Sequence, residues 1–176
     1  DDSDGITSRR ATDRPFFKPV SLDPRLARLA VNVASGPRDK GATLDLMTGT
    51  GGFVLEAALS GRETYGVDLD PLMIEGAQQN LDWAMPDSDA HLLLGDATRL
   101  PHVIPSDAHH RICGFVLDPP YGRNSQGSLD HAELIRSVLE STRMVAASSA
   151  DLVLILPIHP FGELPDEALE PDASVE

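Results

Sequence analysis

A chain of 176 residues, 41% apolar and 24% charged, has the size and balance of one folded domain or most of one. That excludes a disordered chain, a collagen and a coiled-coil rod, and no apolar run approaches the ~18 residues that would cross a bilayer. Twenty-eight acids against 14 bases leave a net charge of −14, and a single cysteine, Cys113, rules out an intrachain disulfide.

Residues 1–14 are polar and read as a linker. Arg14-Pro15-Phe16-Phe17-Lys18-Pro19 is expected to be extended, because each proline biases its predecessor away from helix. Asp23 as cap and Pro24 in the first turn start a helix, with Leu26, Leu29, Ala30 and Val33 at helical spacing and an end near Ser35-Gly36-Pro37. Strands and helices then alternate. Strands are expected over 43–47, 64–68, 90–95, 112–118 and 152–156, with helices over 53–59, 71–85 and 130–147 and a loop or short helix over 97–111. Such alternation predicts an α/β domain: a parallel sheet, right-handed crossovers and helices on both faces. The reading divides the chain into a linker and extended segment (1–22), a catalytic domain (23–160) and an acidic tail or truncated C-terminal part (161–176).

Parallel sheets bind ligands beyond the carboxyl ends of their strands, near the point where strand order reverses. Those ends carry Asp45, Asp68, Asp96 and Asp118. Asp commonly ends strands as a turn residue, which accounts for one or two of the four but not for the set. After Asp45 comes the turn Gly49-Thr50-Gly51-Gly52, whose glycines let a ligand approach the backbone and whose following helix presents unpaired amides. Val54 stands where a dinucleotide-binding fingerprint wants its third glycine, which disfavours a nicotinamide dehydrogenase. Asp68 is placed to accept from two ribose hydroxyls, and Asp96 with the Ala97 amide to meet an adenine edge.

Asp118-Pro119-Pro120-Tyr121-Gly122 completes the pattern. The prolines stop the strand and fix its backbone. A carboxylate and a carbonyl can then accept from one exocyclic amine while Tyr121 stacks on a flat base. Orienting that amine for attack on a methyl group is the chemistry these residue types support.

The chain resembles the class I S-adenosylmethionine-dependent methyltransferases of the amino-methylating DPPY group. Within them it is similar to archaeal THUMP-containing tRNA guanosine-N2 methyltransferases acting on position 10. RPFFKP with LDPRLARLAVNVA, DLMTGTGGFVLEAALSG, GVDLDPLMIEGAQQNL, GDATRLP and VLDPPYGR carry the resemblance, from about Arg14 to Pro157. It implies a Rossmann-like fold and S-adenosyl-L-methionine as cofactor. Asp45, Thr48, Gly49, Thr50 and Gly51 would line the methionine side, Asp68 and Leu69 the ribose, and Asp96 and Ala97 the adenine. Asp118, shared with the cofactor site, would bind guanine and its amine together with Pro119, Pro120 and Tyr121. Phe17 and Pro19 would approach the cofactor. Leu46 and Thr48 depart from the Pro-x-Cys that often follows the first acid. A THUMP domain is expected before residue 1 and two final antiparallel strands after the fifth, which would otherwise be an unpaired edge.

The partner implied is tRNA, with no membrane and no metal; adjacent His109 and His110 cannot form an i, i+4 ligand pair. The basic share lies in residues 1–40, at +2 against −16 for the rest, so RNA contacts are expected there and on the missing domain. Only two of the 14 bases are lysines, an acidic, lysine-poor composition resembling proteins of salt-in halophiles. No signal peptide is visible and the cytoplasm is the expected compartment. Cys113 and Trp83 are expected in the core, and Arg123 at the surface or on a phosphate. A DNA adenine-N6 or cytosine-N4 methyltransferase and a catalytically silent nucleoside-binding scaffold stand as alternatives.

Overall fold

The apolar run after Gly41 becomes the central strand, β1 (Ala42–Asp45), buried along its whole length. In the computed structural model, which describes residues 5–6, 8–19, 21–36, 41–120 and 131–156, it is flanked by β2 (Thr64–Asp68) and β4 (Ile112–Leu117). β3 (Ala90–Leu94) and β5 (Ala146–Leu154) lie outside these. All neighbours run parallel in the order β3-β2-β1-β4-β5. The order reverses between β1 and β4, which places the ligand crevice beyond their carboxyl ends.

The helices are α1 (Pro24–Ser35), α2 (Gly52–Leu59), α3 (Pro71–Ala84), α4 (Leu100–Val103) and α5 (His131–Val145), with 3-10 turns at Ala11–Asp13 and Ala97–Arg99. None described is long and apolar enough to cross a membrane. α1 starts as the sequence indicates, with Asp23 accepting from the amide of Arg25, and α3 starts in the same way, with Asp70 accepting from the amide of Leu72; a proline follows each cap. Alternate residues of β4 point to opposite faces, as the pleat requires. Phe115 and Leu117 meet Leu100, Val138 and Val145, whereas Val116 meets Val31, Phe53 and Ala57 of α1 and α2. The sheet is therefore covered on both faces.

One core expectation is corrected, that for Trp83, and α1 buries its small residues in place of its large ones. Leu26, Leu29 and Val33 are exposed, at 53–60%, and α1 buries Ala27, Ala30, Val31 and Ala34 instead. The reason is close approach: a Cβ on Gly114 of β4 would meet Ser35 Oγ at 2.8 Å and Ala34 O at 3.0 Å. A helix lying that near a sheet turns its small residues inward. Trp83 is also exposed, because α3 buries Gly76, Ala77, Asn80 and Leu81 and position 83 lies off that face. Cys113 is buried. The last strand differs too. β5 begins at Ala146, directly after α5, and its pairing with β4 slips between Ile112 and Gly114, so the stretch expected to be helix end and loop joins the sheet irregularly.

The stretch before α1 packs against the domain. Glu56 of α2, fully buried, holds it there: Oε1 lies 3.0 Å from Arg9 Nε and Oε2 lies 2.8 Å from Arg28 Nε. Arg28 also donates to Ser60 Oγ at 2.8 Å. Asn80 makes a second tie, accepting from Phe16 N and donating to the carbonyls of Phe16 and Thr50, each at 2.9 Å. Phe16 fills the space that Gly76 leaves. Removing Glu56 strands its guanidinium partners, and breaking a buried pair in this way costs about 3–5 kcal/mol. Glu56→Ala is expected to lose that much in urea unfolding. A loss under about 1 kcal/mol would mean that Glu56 does not hold the segment.

Candidate active site

The turn after β1 is built from backbone conformations that few side chains allow. Gly49 and Gly51 have φ of 51° and 81°. A Cβ on Gly51 would sit 2.9 Å from that of Ala77, whereas around Gly49 nothing lies within 4 Å of the corresponding point. Gly51 thus lets α2 close on α3, and Gly49 leaves open space at the crevice. Thr48 N donates to Val67 O at 2.9 Å, and Thr48 Oγ1 reaches Asp45 O at 3.4 Å. Thr50 Oγ1 shares a 3.0 Å hydrogen bond with Ser21.

Two of the four strand-end acids bear on a third, Asp45. Asp45 is buried, and burial foremost pushes its carboxyl up to about 8; the Met47 amide pulls it down, and the charges of Asp68 and Asp118 add to the rise. Its Oδ1 accepts from Met47 N at 3.4 Å, while Oδ2 is buried with no hydrogen-bond partner. Asp118 is half-buried, and desolvation raises its pKa from the ordinary carboxylate value.

Asp68 and Asp96 are committed differently. Asp68 Oδ2 accepts from Gly49 N at 2.7 Å and Oδ1 from Asp70 N at 2.9 Å, so this acid locks the glycine turn to the end of β2. Asp96 Oδ1 accepts from Thr98 N and Oγ1 at 2.8 and 2.7 Å, capping the turn that begins with buried Ala97. Gly95 N donates to Asp68 O at 2.9 Å and ties the two strand ends together. Leu69 is exposed at this edge, as is Phe17 on the N-terminal stretch.

Pro119 is buried and Pro120 exposed. His131, the first residue of α5, holds Pro120 in place: its Nε2 lies 3.1 Å from the Pro120 carbonyl, which can only accept. Tyr121 and Arg123 lie outside the described residues. Sequence reasoning missed Asn80 and His131. Asn80 left one signal, an amide among the small and apolar residues of the face that α3 buries; a lone histidine at a helix start left none.

The RMKL-like methyltransferase domain family (UPF0020) matches residues 11–161. A tRNA (guanine(10)-N2)-dimethyltransferase of Pyrococcus abyssi is 38% identical over 133 residues, covering 76% of this chain and 38% of that protein. The enzyme of the same name from Methanothermobacter thermautotrophicus is 34% identical, covering 84% and 42%. The chain thus spans about two-fifths of the length of these curated relatives. The crystal structure of TrmN from Thermus thermophilus is similar at a TM-score of 0.62 and 25% identity, over 77% of this chain and 39% of that one.

The proton on Asp45 makes its own prediction. The folded protein keeps this proton to about pH 8, whereas the unfolded chain releases it near the ordinary carboxylate value of 3.8. The stability this carboxyl contributes is therefore fully present below pH 4, falls as pH rises toward about 8, and is level above that. Asp45→Asn removes the dependence. Its melting temperature should exceed that of the parent by a margin that grows through this window and then stops growing. A margin that stays constant across pH would show that Asp45 ionises normally.

Proposed function

The chain belongs to the RMKL-like methyltransferase family, and from that premise we propose that it transfers a methyl group from S-adenosylmethionine to the exocyclic N2 of a tRNA guanosine, at position 10. The observation that carries the reading is the juxtaposition of Asp45 and Asp118, both raised in pKa, at neighbouring strand ends across the reversal of sheet order. The substrate comes from the curated relatives, which bear that activity in their names.

The residues fit the cofactor. Asp45 Oδ2 is buried with no hydrogen-bond partner, and an ammonium would supply one as the carboxyl gives up its proton. The space beside Gly49 admits a ligand against the backbone. Asp68 retains acceptor capacity for ribose hydroxyls beyond its two amide bonds, and Asp96 Oδ2 stands beside Ala97 for an adenine edge. When bound, S-adenosylmethionine supplies a methyl group on a sulfonium centre.

The chain's own residues then orient the nucleophile. Asp118 and the backbone carbonyls of its proline turn accept from the guanine amine and direct its remaining lone pair. Pro119, buried, and Pro120, held by His131, keep those acceptors in place. The raised pKa of Asp118 suits it to hold the proton the amine gives up. Tyr121 is assigned to stacking on the base. RNA capture is assigned to the basic segment within residues 1–40 and to a THUMP-type domain preceding this chain in the whole protein, in the cytoplasm of a halophilic archaeon.

Methyl transfer from labelled cofactor to mixed unmodified tRNA and DNA, with the products identified by mass spectrometry, tests the reaction. Label is expected in N2-methylated guanosine, and Asp118→Ala should lower turnover about a hundredfold or more. Label in a methylated adenine or cytosine of DNA would overturn the substrate. Cofactor binding without transfer would make the chain a scaffold. A surface at −14 repels itself at low ionic strength. The melting temperature should accordingly climb between about 0.1 and 2 M KCl; a curve that is flat or falling would remove the halophilic assignment.

A further inference from the structure

Hydrogen bonds pin the chain on both sides of Phe17. Asn80 accepts from Phe16 N and donates to the carbonyls of Phe16 and Thr50. Ser21 Oγ donates to Lys18 O at 2.8 Å and shares a 3.0 Å hydrogen bond with Thr50 Oγ1. Phe17 thus lies between two anchors that both end on Thr50, at the rim of the ligand crevice. Phe16 turns inward, into the space that Gly76 leaves, whereas Phe17 is 45% exposed. One exposed apolar side chain is ordinary. Here Leu69 and Leu72 are exposed as well, at 70% and 49%, just past the end of β2. Leu72 stands one turn before Gly76, on the side of α3 that meets Phe16.

The charge on this strap runs against the rest of the molecule, at +2 over residues 1–40 and −16 over the remainder. Lys18 follows the exposed ring directly, and its Nζ lies 5.9 Å from the centroid of Phe16. Arg10 and Arg25 border one hollow at the start of α1, together with Asp23. A partner that fits this rim offers a flat apolar face with a negative charge beside it. A nucleotide carries both, a base with a π-face and a phosphate. The cations are few, and salt weakens each phosphate contact by counterion release. An apolar ring against a base releases no counterion, so its contribution persists where the ionic one fades.

Building on the RNA-methylation reading above, we propose that Phe17 is a stacking platform for an unpaired base of the substrate RNA, next to the guanosine that enters the crevice, with Lys18 on the adjoining phosphate. A target base must leave its stack to reach a methyl group held in the crevice. Its neighbour then loses a stacking partner, and Phe17 replaces it. The ties at Asn80 and Ser21 matter here, because a ring already fixed in place gives up little freedom when the base arrives. Leu72 extends the apolar rim on the α3 side.

The test measures binding of an unmodified tRNA transcript, and separately of S-adenosylmethionine, to the intact protein from about 0.2 to 1 M KCl. Phe17→Ala should weaken tRNA binding about 10- to 100-fold at every salt concentration, with the affinity for the cofactor unchanged. Phe17→Tyr should keep the parent's affinity, whereas Phe17→Leu, apolar but not flat, should not. Lys18→Gln should instead lower the slope of log affinity against log salt by about one. Parental tRNA affinity in Phe17→Ala overturns the proposal, and so does Phe17→Leu binding tRNA as well as Phe17→Tyr does, which would make the rim a plain apolar contact. A fall in cofactor affinity in Phe17→Ala overturns it too, by assigning the ring to the cofactor. If Phe17→Ala fails to fold by circular dichroism, the comparison of the Tyr and Leu variants still decides. Failure of the parent itself to bind tRNA would instead overturn the RNA reading on which this proposal rests.

Discussion

One carboxylate gives the ligand edge its shape. Asp68 accepts from Gly49 N through one oxygen and from Asp70 N through the other, so the turn after β1 and the entry to α3 hang on the same side chain. Gly49 can present its amide because its φ is positive, and Gly51, two residues on, has the backbone that lets α2 leave toward α3. Replace the acceptor and two strand ends lose their common anchor. The same atoms that would meet a ribose are thus already part of the scaffold, which means the site is largely formed before any ligand arrives.

The four strand-end acids look equivalent in the sequence and are not equivalent in the fold. Asp68 and Asp96 have amide donors and serve as turn acids, the bland role that Asp takes at many strand ends. Asp45 and Asp118 are desolvated, with raised pKa values, on the two strands at the reversal of sheet order. Depth alone does not make the difference, because β2, which ends in Asp68, is buried like β1 and β4. Partners do: both oxygens of Asp68 accept from amides, whereas Asp45 is fully buried with Oδ2 lacking a donor.

Most of the architecture was legible because parallel sheets impose a simple pattern. Short apolar strands, the Asp23-Pro24 helix start and the stop near Gly36 fix element type and order, and the helix and strand limits over residues 52–117 fall within a residue or two of expectation. What the sequence did not reveal depends on distances between elements. Leu26, Leu29 and Val33 form one valid helical stripe in α1, and Ala27, Ala30, Val31 and Ala34 another. Periodicity cannot choose between them; only the close approach over Gly114 does. The first residues of β5 were illegible for a similar reason, since Ala146-Ala-Ser-Ser-Ala has no periodicity and is recruited by pairing with β4. The site followed the same rule. Its acids and glycines stand in contiguous motifs, whereas Asn80 and His131 hold neighbouring backbone through contacts across the fold.

Arg14 and Glu56 show how these long-range contacts bear on function. The segment that carries the chain's basic excess would be expected, on charge alone, to lie loosely against a body at −16 and exchange freely with solvent. Instead two of its arginines, Arg9 and Arg28, converge on one buried glutamate, each of whose oxygens is used. The segment is fixed by a pair that excludes water, and the leftover guanidinium is the one nearest the glycine turn. Burying a third arginine beside a satisfied acid costs desolvation that no hydrogen-bond partner of its Nη atoms offsets, so the Glu56 and Asn80 ties, and not the charge of Arg14 itself, decide where the segment lies beside the glycine turn.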